Sequence, residues 1–267
     1  MLSDRCFIPF EELSAEVELP SKFTYPFDYV PHPLAVKAAE DLQRYITSQQ
    51  EWDHNFGLEE GKDGVMVGKM FGVLVVQTSN GRLGYLAGFS GKLAGGNHHA
   101  HFVPPVFDSL TENSFINLGM PLLTEYSNRI KALQEEDPIG NREAIEALKE
   151  ERKQHSWSMQ IQLYDSYSFL NQFGEEKSLR EIFNHNPNGN PPGGAGECAA
   201  PKLLQYAFQN KMKPLAIAEF WWGAHSRSNS LRHGAYYPSC LDKCMPILGH
   251  MLKGIEIDPK PNDRSSE

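Results

Sequence analysis

Pro214-Leu215-Ala216-Ile217-Ala218-Glu219-Phe220-Trp221-Trp222 is a short apolar run ending in aromatics, and it reads as a buried β-strand. Cysteines stand on both sides of it where helices should begin. Gly193-Gly194-Ala195-Gly196-Glu197-Cys198-Ala199-Ala200-Pro201-Lys202-Leu203-Leu204 precedes the run. Tyr237-Pro238-Ser239-Cys240-Leu241-Asp242-Lys243-Cys244-Met245-Pro246-Ile247-Leu248 follows it. The order is therefore helix over about 199–210, strand over 214–222, helix over about 239–252.

Upstream, Leu34, Ala38, Leu42, Tyr45 and Ile46 keep helical spacing, with Pro33 suited to a first turn. Val65 to Gln77 and Leu83 to Phe89 flank Ser79-Asn80-Gly81, a hairpin signal. The second of these strands alternates small and large residues, so one face must lie close to something. Two helices are expected over 121–136 and 141–172, the first lined by Leu122, Tyr126, Ile130 and Leu133. Ile145, Leu148, Leu163, Tyr167 and Leu170 mark the second, and the break is Asp137-Pro138-Ile139-Gly140. A short helix near Lys177–Phe183 leads into the loop Asn184–Gly194.

Setting the helical hairpin aside leaves helix, hairpin, helix, strand, helix. That order implies an α/β fold, a three-layer mixed sheet covered by helices, and it resembles the order of the cytidine-deaminase core with the hairpin inserted after its second strand. The expected organisation is an N-terminal arm over 1–33, a single α/β domain over 34–257 and a linker-like tail over 258–267. The helical hairpin is inserted at about 118–173.

At 267 residues the chain can bury a substantial core, and its 40% hydrophobic and 22% charged content is ordinary for a globular protein. The formal net charge of −9, with no basic block, argues against tight autonomous nucleic-acid binding. Neither a secretory signal nor a membrane span is evident, so the expected compartment is the cytoplasm, where thiols stay reduced. Cys6 reads as a small buried hydrophobe.

Cys198, Cys240 and Cys244 suit zinc, because helix N-termini lower thiol pKa values and tetrahedral zinc favours thiolate. Zinc-dependent base deaminases hold their metal in this order, with a glutamate two residues after the first ligand and then Pro-Cys-x-x-Cys. This chain is similar but departs twice. Position 200 is alanine, and the second pair is Cys-x-x-x-Cys behind Pro-Ser. Glu197, adjacent to the first cysteine, and Glu219, on the strand, are the weak candidates for a replacement proton carrier. His233 or His225 would supply a fourth ligand. The alternative is three reduced structural cysteines without metal.

Other residues have plainer readings beside functional ones. His98, His99 and His101 form a polar loop before they form a metal site. Trp221 and Trp222 read as one core and one rim residue, with base stacking on Trp222 the functional alternative. Gly193–Gly196 shapes a turn and lacks the lysine of a P-loop. Arg227, Arg232 and Lys243 would steer an anionic partner, or serve as ordinary surface charge.

Several phrases resemble the N-terminal extension of long bacterial Rlu-type RNA pseudouridine synthases. They are Gly68-Lys69-Met70-Phe71-Gly72-Val73-Leu74-Val75-Val76, Leu83 to Ala94, Phe102-Val103-Pro104-Pro105-Val106-Phe107-Asp108, Gly194 to Ala207, and Ala218-Glu219-Phe220-Trp221-Trp222-Gly223. The resemblance runs from near Phe7 to near Ile257. The catalytic domain of such synthases carries an aspartate in Arg-Leu-Asp and would follow Glu267. The nearest string here is Gly81-Arg82-Leu83-Gly84, so no catalytic residue carries over.

The resemblance implies a non-catalytic accessory domain acting in rRNA or tRNA modification. Its partner would be a synthase catalytic domain in cis or in trans, with structured RNA reached through that partner and no membrane involved. One alternative is a zinc-dependent base or nucleoside hydrolase built on Cys198, Cys240 and Cys244. Another is a structural protein-interaction module.

Overall fold

The computed structural model describes residues 5–11, 18–185, 190–224 and 230–261. The chain divides into two compact units, 1–106 with 169–267, and 107–168.

The first unit is built on a five-stranded sheet in the order β1-β3-β2-β6-β7. Its strands are β1 (Ile8–Pro9), β2 (Lys69–Gln77), β3 (Leu83–Phe89), β6 (Lys213–Trp222) and β7 (Tyr236–Tyr237). A separate two-stranded ribbon pairs β4 (Ser168–Leu170) with β5 (Glu176–Ser178). The helices of this unit are α1 (Pro33–Ser48), α4 (Leu179–Ile182), α5 (Ala199–Gln209) and α6 (Cys244–Met251).

The expected mixed sheet is corrected. Every pairing between the strands of the five-stranded sheet is antiparallel. The hairpin turns β3 against one edge of β2, and β6 takes the other edge, also reversed. β3 and β6 thus run the same way with β2 between them, so no parallel neighbours arise.

β2 and β6 are buried on both faces, which is why they read as continuous apolar runs rather than alternating ones. Phe71, Val73, Val75, Ala216, Ala218 and Phe220 pack with Leu34, Ala38, Leu42 and Ile46 of α1. The opposite face presents Gly72, Gly88 and Glu219 to α5. A Cβ on Gly72 would stand 2.9 Å from Ala199 Cβ and 3.3 Å from Glu219 Cγ, and one on Gly88 3.2 Å from Leu203 Cγ. Gly88 is the close approach that the small–large alternation of β3 signalled, with Gly72 opposite it on β2.

Element ends follow local chemistry. His32 caps α1 by accepting the Leu34 N–H at Nδ1, and Pro33 occupies the first turn, where no N–H is needed. Ser178 and Glu181 make a reciprocal capping box on α4. The strand expected from Val65 starts only at Lys69, because Val67 N–H turns aside to Asn55 O.

The last helix is also shorter than expected. It begins at Cys244, with Pro246 in its first turn, and residues 241–243 are turns. Cys240 therefore lies one turn ahead of the helix rather than at its start.

The second unit is a helical hairpin, α2 (Phe115–Glu136) and α3 (Arg142–Ser166). Ser114 caps α2 earlier than hydrophobic spacing suggests. The expected second helix stops at Ser166, and Leu170 belongs to β4, where its N–H donates to Gln205 Oε1. Arg152 Nε donates to Ser127 Oγ across the hairpin, and Ile145, Leu148 and Tyr164 are buried.

Gly72→Val should force α5 off the sheet, at a cost of about 1–3 kcal/mol for an overpacked core. Urea unfolding would show it, and a variant as stable as the parent would refute the close packing of α5.

Candidate metal centre

Cys198 is the N-cap residue of α5, in extended backbone and with no capping hydrogen bond from its own side chain. Its position follows from the turn before it. Gly194 and Gly196 hold φ values of 75° and 88°, and Glu197 O accepts the Gly91 N–H, tying the turn to the end of β3. Cys244 is the first residue of α6 and is buried, whereas Cys240 is exposed.

The three Sγ atoms lie within 4.8 Å of one another, and Cys240 and Cys244 Sγ are 3.3 Å apart. Zn–S bonds of about 2.3 Å in a tetrahedron place sulfurs roughly 3.8 Å apart, so the cluster fits that ion. All four cysteines of the chain are thiols. Cys6 stands apart, half-buried, its Sγ donating to Phe102 O.

The thiols perturb one another strongly. Cys240 is held well below the usual thiol range by hydrogen bonds from the Cys198 and Cys244 thiols, helped by the backbone N–H groups of Lys243 and Cys244. Cys198 and Cys244 are pushed up by the same contacts and by burial. One thiolate accepting from two thiols is the arrangement these contacts favour.

Glu219 adjoins the cluster and acts electrostatically on Cys198, Cys240 and Cys244. It is 4% exposed, accepts Ser239 Oγ–H at 2.6 Å, and accepts the Ala200 N–H at the start of α5. Burial raises its pKa to about 7, with the Cys240 charge adding to the rise. The sequence left Glu219 a weak candidate. The structure brings it to the thiols.

Glu197 is placed differently. Its carboxylate pairs with the buried Lys202 at 3.3 Å, and Lys202 Nζ also donates to Phe89 O and Gly91 O. Lys202 was not singled out from the sequence. A lysine in the first turn of an apolar helix was the available signal, since burying it demands this many acceptors.

The remaining candidates do not gather here. His233 is exposed; its Nδ1 accepts the Gly223 N–H and its ring lies 4.3 Å from that of Trp222. It is not a member of the thiol group. Trp222 packs against the α1-side core, so it belongs to the face opposite Glu219. Arg232 is exposed, and its N–H donates to Tyr237 Oη. Lys243 precedes α6 with its ammonium near Gly194, which leaves it, among the described residues, the one cation of the expected partner set beside the cysteines. His225 and Arg227 lie outside the described residues.

The histidine loop is held by packing. His99 Nε2 contacts Leu93 O at 2.7 Å, and the His101 ring meets that of Tyr45 at 4.2 Å in a tilted arrangement. Beside it His54 accepts the Ala94 N–H at Nδ1 and meets Val67 O at Nε2.

No protein-family model, curated protein or solved structure matches this chain. No described helix is long and apolar enough to cross a membrane.

Two predictions follow from this geometry. Protein purified in zinc should carry about one ion per chain. Cys198→Ser, Cys240→Ser or Cys244→Ser should lose it and Cys6→Ser should keep it, as read by elemental analysis; equal metal in all four variants would exclude the site. Burial holds His54 below the ordinary histidine range. The unfolded state then binds the extra proton more readily, so His54 contributes stability above about pH 6.5 that is lost as pH falls below it. Denaturation midpoints measured down to about pH 5 should fall less steeply in His54→Gln than in the parent.

Proposed function

We propose that this chain is a non-catalytic accessory domain with a deaminase-like three-layer fold, holding a structural zinc ion and serving an RNA pseudouridine synthase. Cys198, Cys240 and Cys244 hold the ion. Zinc in such a site supplies a crosslink between helix starts and, where a coordination position is open, Lewis-acid polarisation of whatever occupies it.

The observation that carries the non-catalytic reading is the sealing of Glu219. A proton carrier must reach a substrate, but this carboxylate is 4% exposed and holds hydrogen bonds from Ser239 and Ala200. Ala200, at the position where deaminases carry their glutamate, is fully buried. Glu197 is committed to Lys202.

Two further observations support the reading. The order α1, β2–β3, α5, β6, α6 keeps the deaminase sequence of elements once the α2–α3 hairpin is set aside. The phrases that resemble the synthase extension also form β2, β3, the start of α5 and the end of β6. Within this proposal the domain positions RNA or a protein partner, the helical hairpin is its contact arm, and a synthase domain supplies the basic surface.

A second reading is a zinc hydrolase acting on a base or nucleoside. The specific observation favouring it is an acid with a pKa raised to about 7 beside three thiols. Ammonia release from cytidine, adenosine and the corresponding RNAs decides between them. Zinc-loaded protein should release none. Release abolished by both Cys240→Ser and Glu219→Gln would establish the hydrolase. The accessory reading also requires that the chain raise the RNA affinity of a synthase catalytic domain added in trans, and an unchanged affinity would overturn it.

A further inference from the structure

A cavity of about 660 Å³ opens in the first unit beside the start of β6, away from the cysteines. Its walls come from three stretches, 20–23, 170–174 and 208–215, with 254–256 closing it. The N- and C-terminal stretches are tied together, Phe23 N–H donating to Glu256 O and Asp258 N–H to Phe23 O. The cavity is therefore assembled from both ends of the chain.

Its floor is apolar, with Phe23, Met212 and Leu215 buried. Its rim is basic. Lys22, Lys211 and Lys213 line it and are exposed, against a single acid, Glu256. On a chain of net charge −9 this is a local reversal of sign. Lys211 sits at φ 55°, directly after α5, a position where glycine is the less strained choice. Phe173, on the turn between β4 and β5, adds a ring that is 62% exposed.

We propose that this cavity binds a nucleotide unit, the base against Phe173 and the phosphate among Lys22, Lys211 and Lys213. The volume falls in the range of small-ligand sites, roughly 300–1,000 Å³. Lysine ammonium groups act as point charges for phosphate, and an exposed ring beside them gives a flat heterocycle a stacking surface. An acidic peptide would match the lysines but would leave Phe173 without a flat partner. The site does not depend on the metal centre, and it involves no bond-making step.

The unit can arrive as a free nucleotide or within a single strand. Uridine and adenosine monophosphates, a five-nucleotide single-stranded RNA and an oligo-aspartate peptide are titrated against the full chain by calorimetry at low and moderate salt. Saturable, salt-sensitive binding of a nucleotide or of the RNA is expected, with oligo-aspartate weaker. Monophosphates binding as tightly as the oligomer identify the free nucleotide as ligand, and tighter oligomer binding identifies the strand. Lys211→Ala/Lys213→Ala should weaken binding about tenfold or more and reduce its salt dependence, and Phe173→Ala should weaken it about tenfold.

These side chains are exposed, so unchanged unfolding curves and zinc content confirm that the variants fold, and a failed metal centre would be scored separately. Equal or tighter binding of oligo-aspartate, no binding of any probe, or binding indifferent to both variants would overturn the proposal.

Discussion

A carboxylate buried in the middle of an apolar strand is costly unless its oxygens are hydrogen-bonded, and Glu219 organises the first unit around that requirement. One donor is the Ala200 N–H, an orphan group of the first turn of α5. The other is Ser239 Oγ, in the segment that delivers Cys240. The Glu219 backbone is fixed as well, its N–H donating to Tyr29 Oη while that hydroxyl donates to Tyr237 O. A single side chain thus ties β6 to both segments that carry cysteines. Glu219 does for α5 what a capping side chain at Cys198 would otherwise do, and this leaves the Cys198 sulfur available to its neighbours.

Ala200, whose N–H Glu219 accepts, is buried with no exposure. Cys240 stands ahead of α6 and receives backbone N–H groups from Lys243 and Cys244, so its sulfur reaches the cluster from the loop.

The hairpin and β6 were legible because their signals are local: apolar runs, a turn sequence and glycines at alternating positions. The meeting of Cys198, Cys240 and Cys244 was legible as order along the chain. Less legible were features set by partners distant in sequence. Antiparallel placement of β6 depends on which edge of β2 is open, which no spacing encodes. The late start of α6 depends on Ser239, whose N–H is taken by Pro26 O and whose hydroxyl is taken by Glu219. Leu170 looked helical because a three-residue strand is too short to show its own period. For Glu219 and Lys202 a signal existed, a charged residue inside an apolar stretch, but the sequence names no partner for either.

Charge balance gives the cluster its direction. Three sulfurs converge under the electrostatic influence of the Glu219 carboxylate, while the buried cation Lys202 is held by Glu197 and the carbonyls of Phe89 and Gly91. The raised Cys198, Cys244 and Glu219 pKa values show that the site favours keeping protons there. A divalent ion replaces those protons with one charge centre and relieves the repulsion among the sulfurs. Because the carboxylate is already committed to Ser239 and Ala200, the relief would fall on the thiols, and a bound ion would act as a fastener between α5 and the approach to α6. A base held at this point would have to displace the packing that keeps Ala200 and Glu219 out of water.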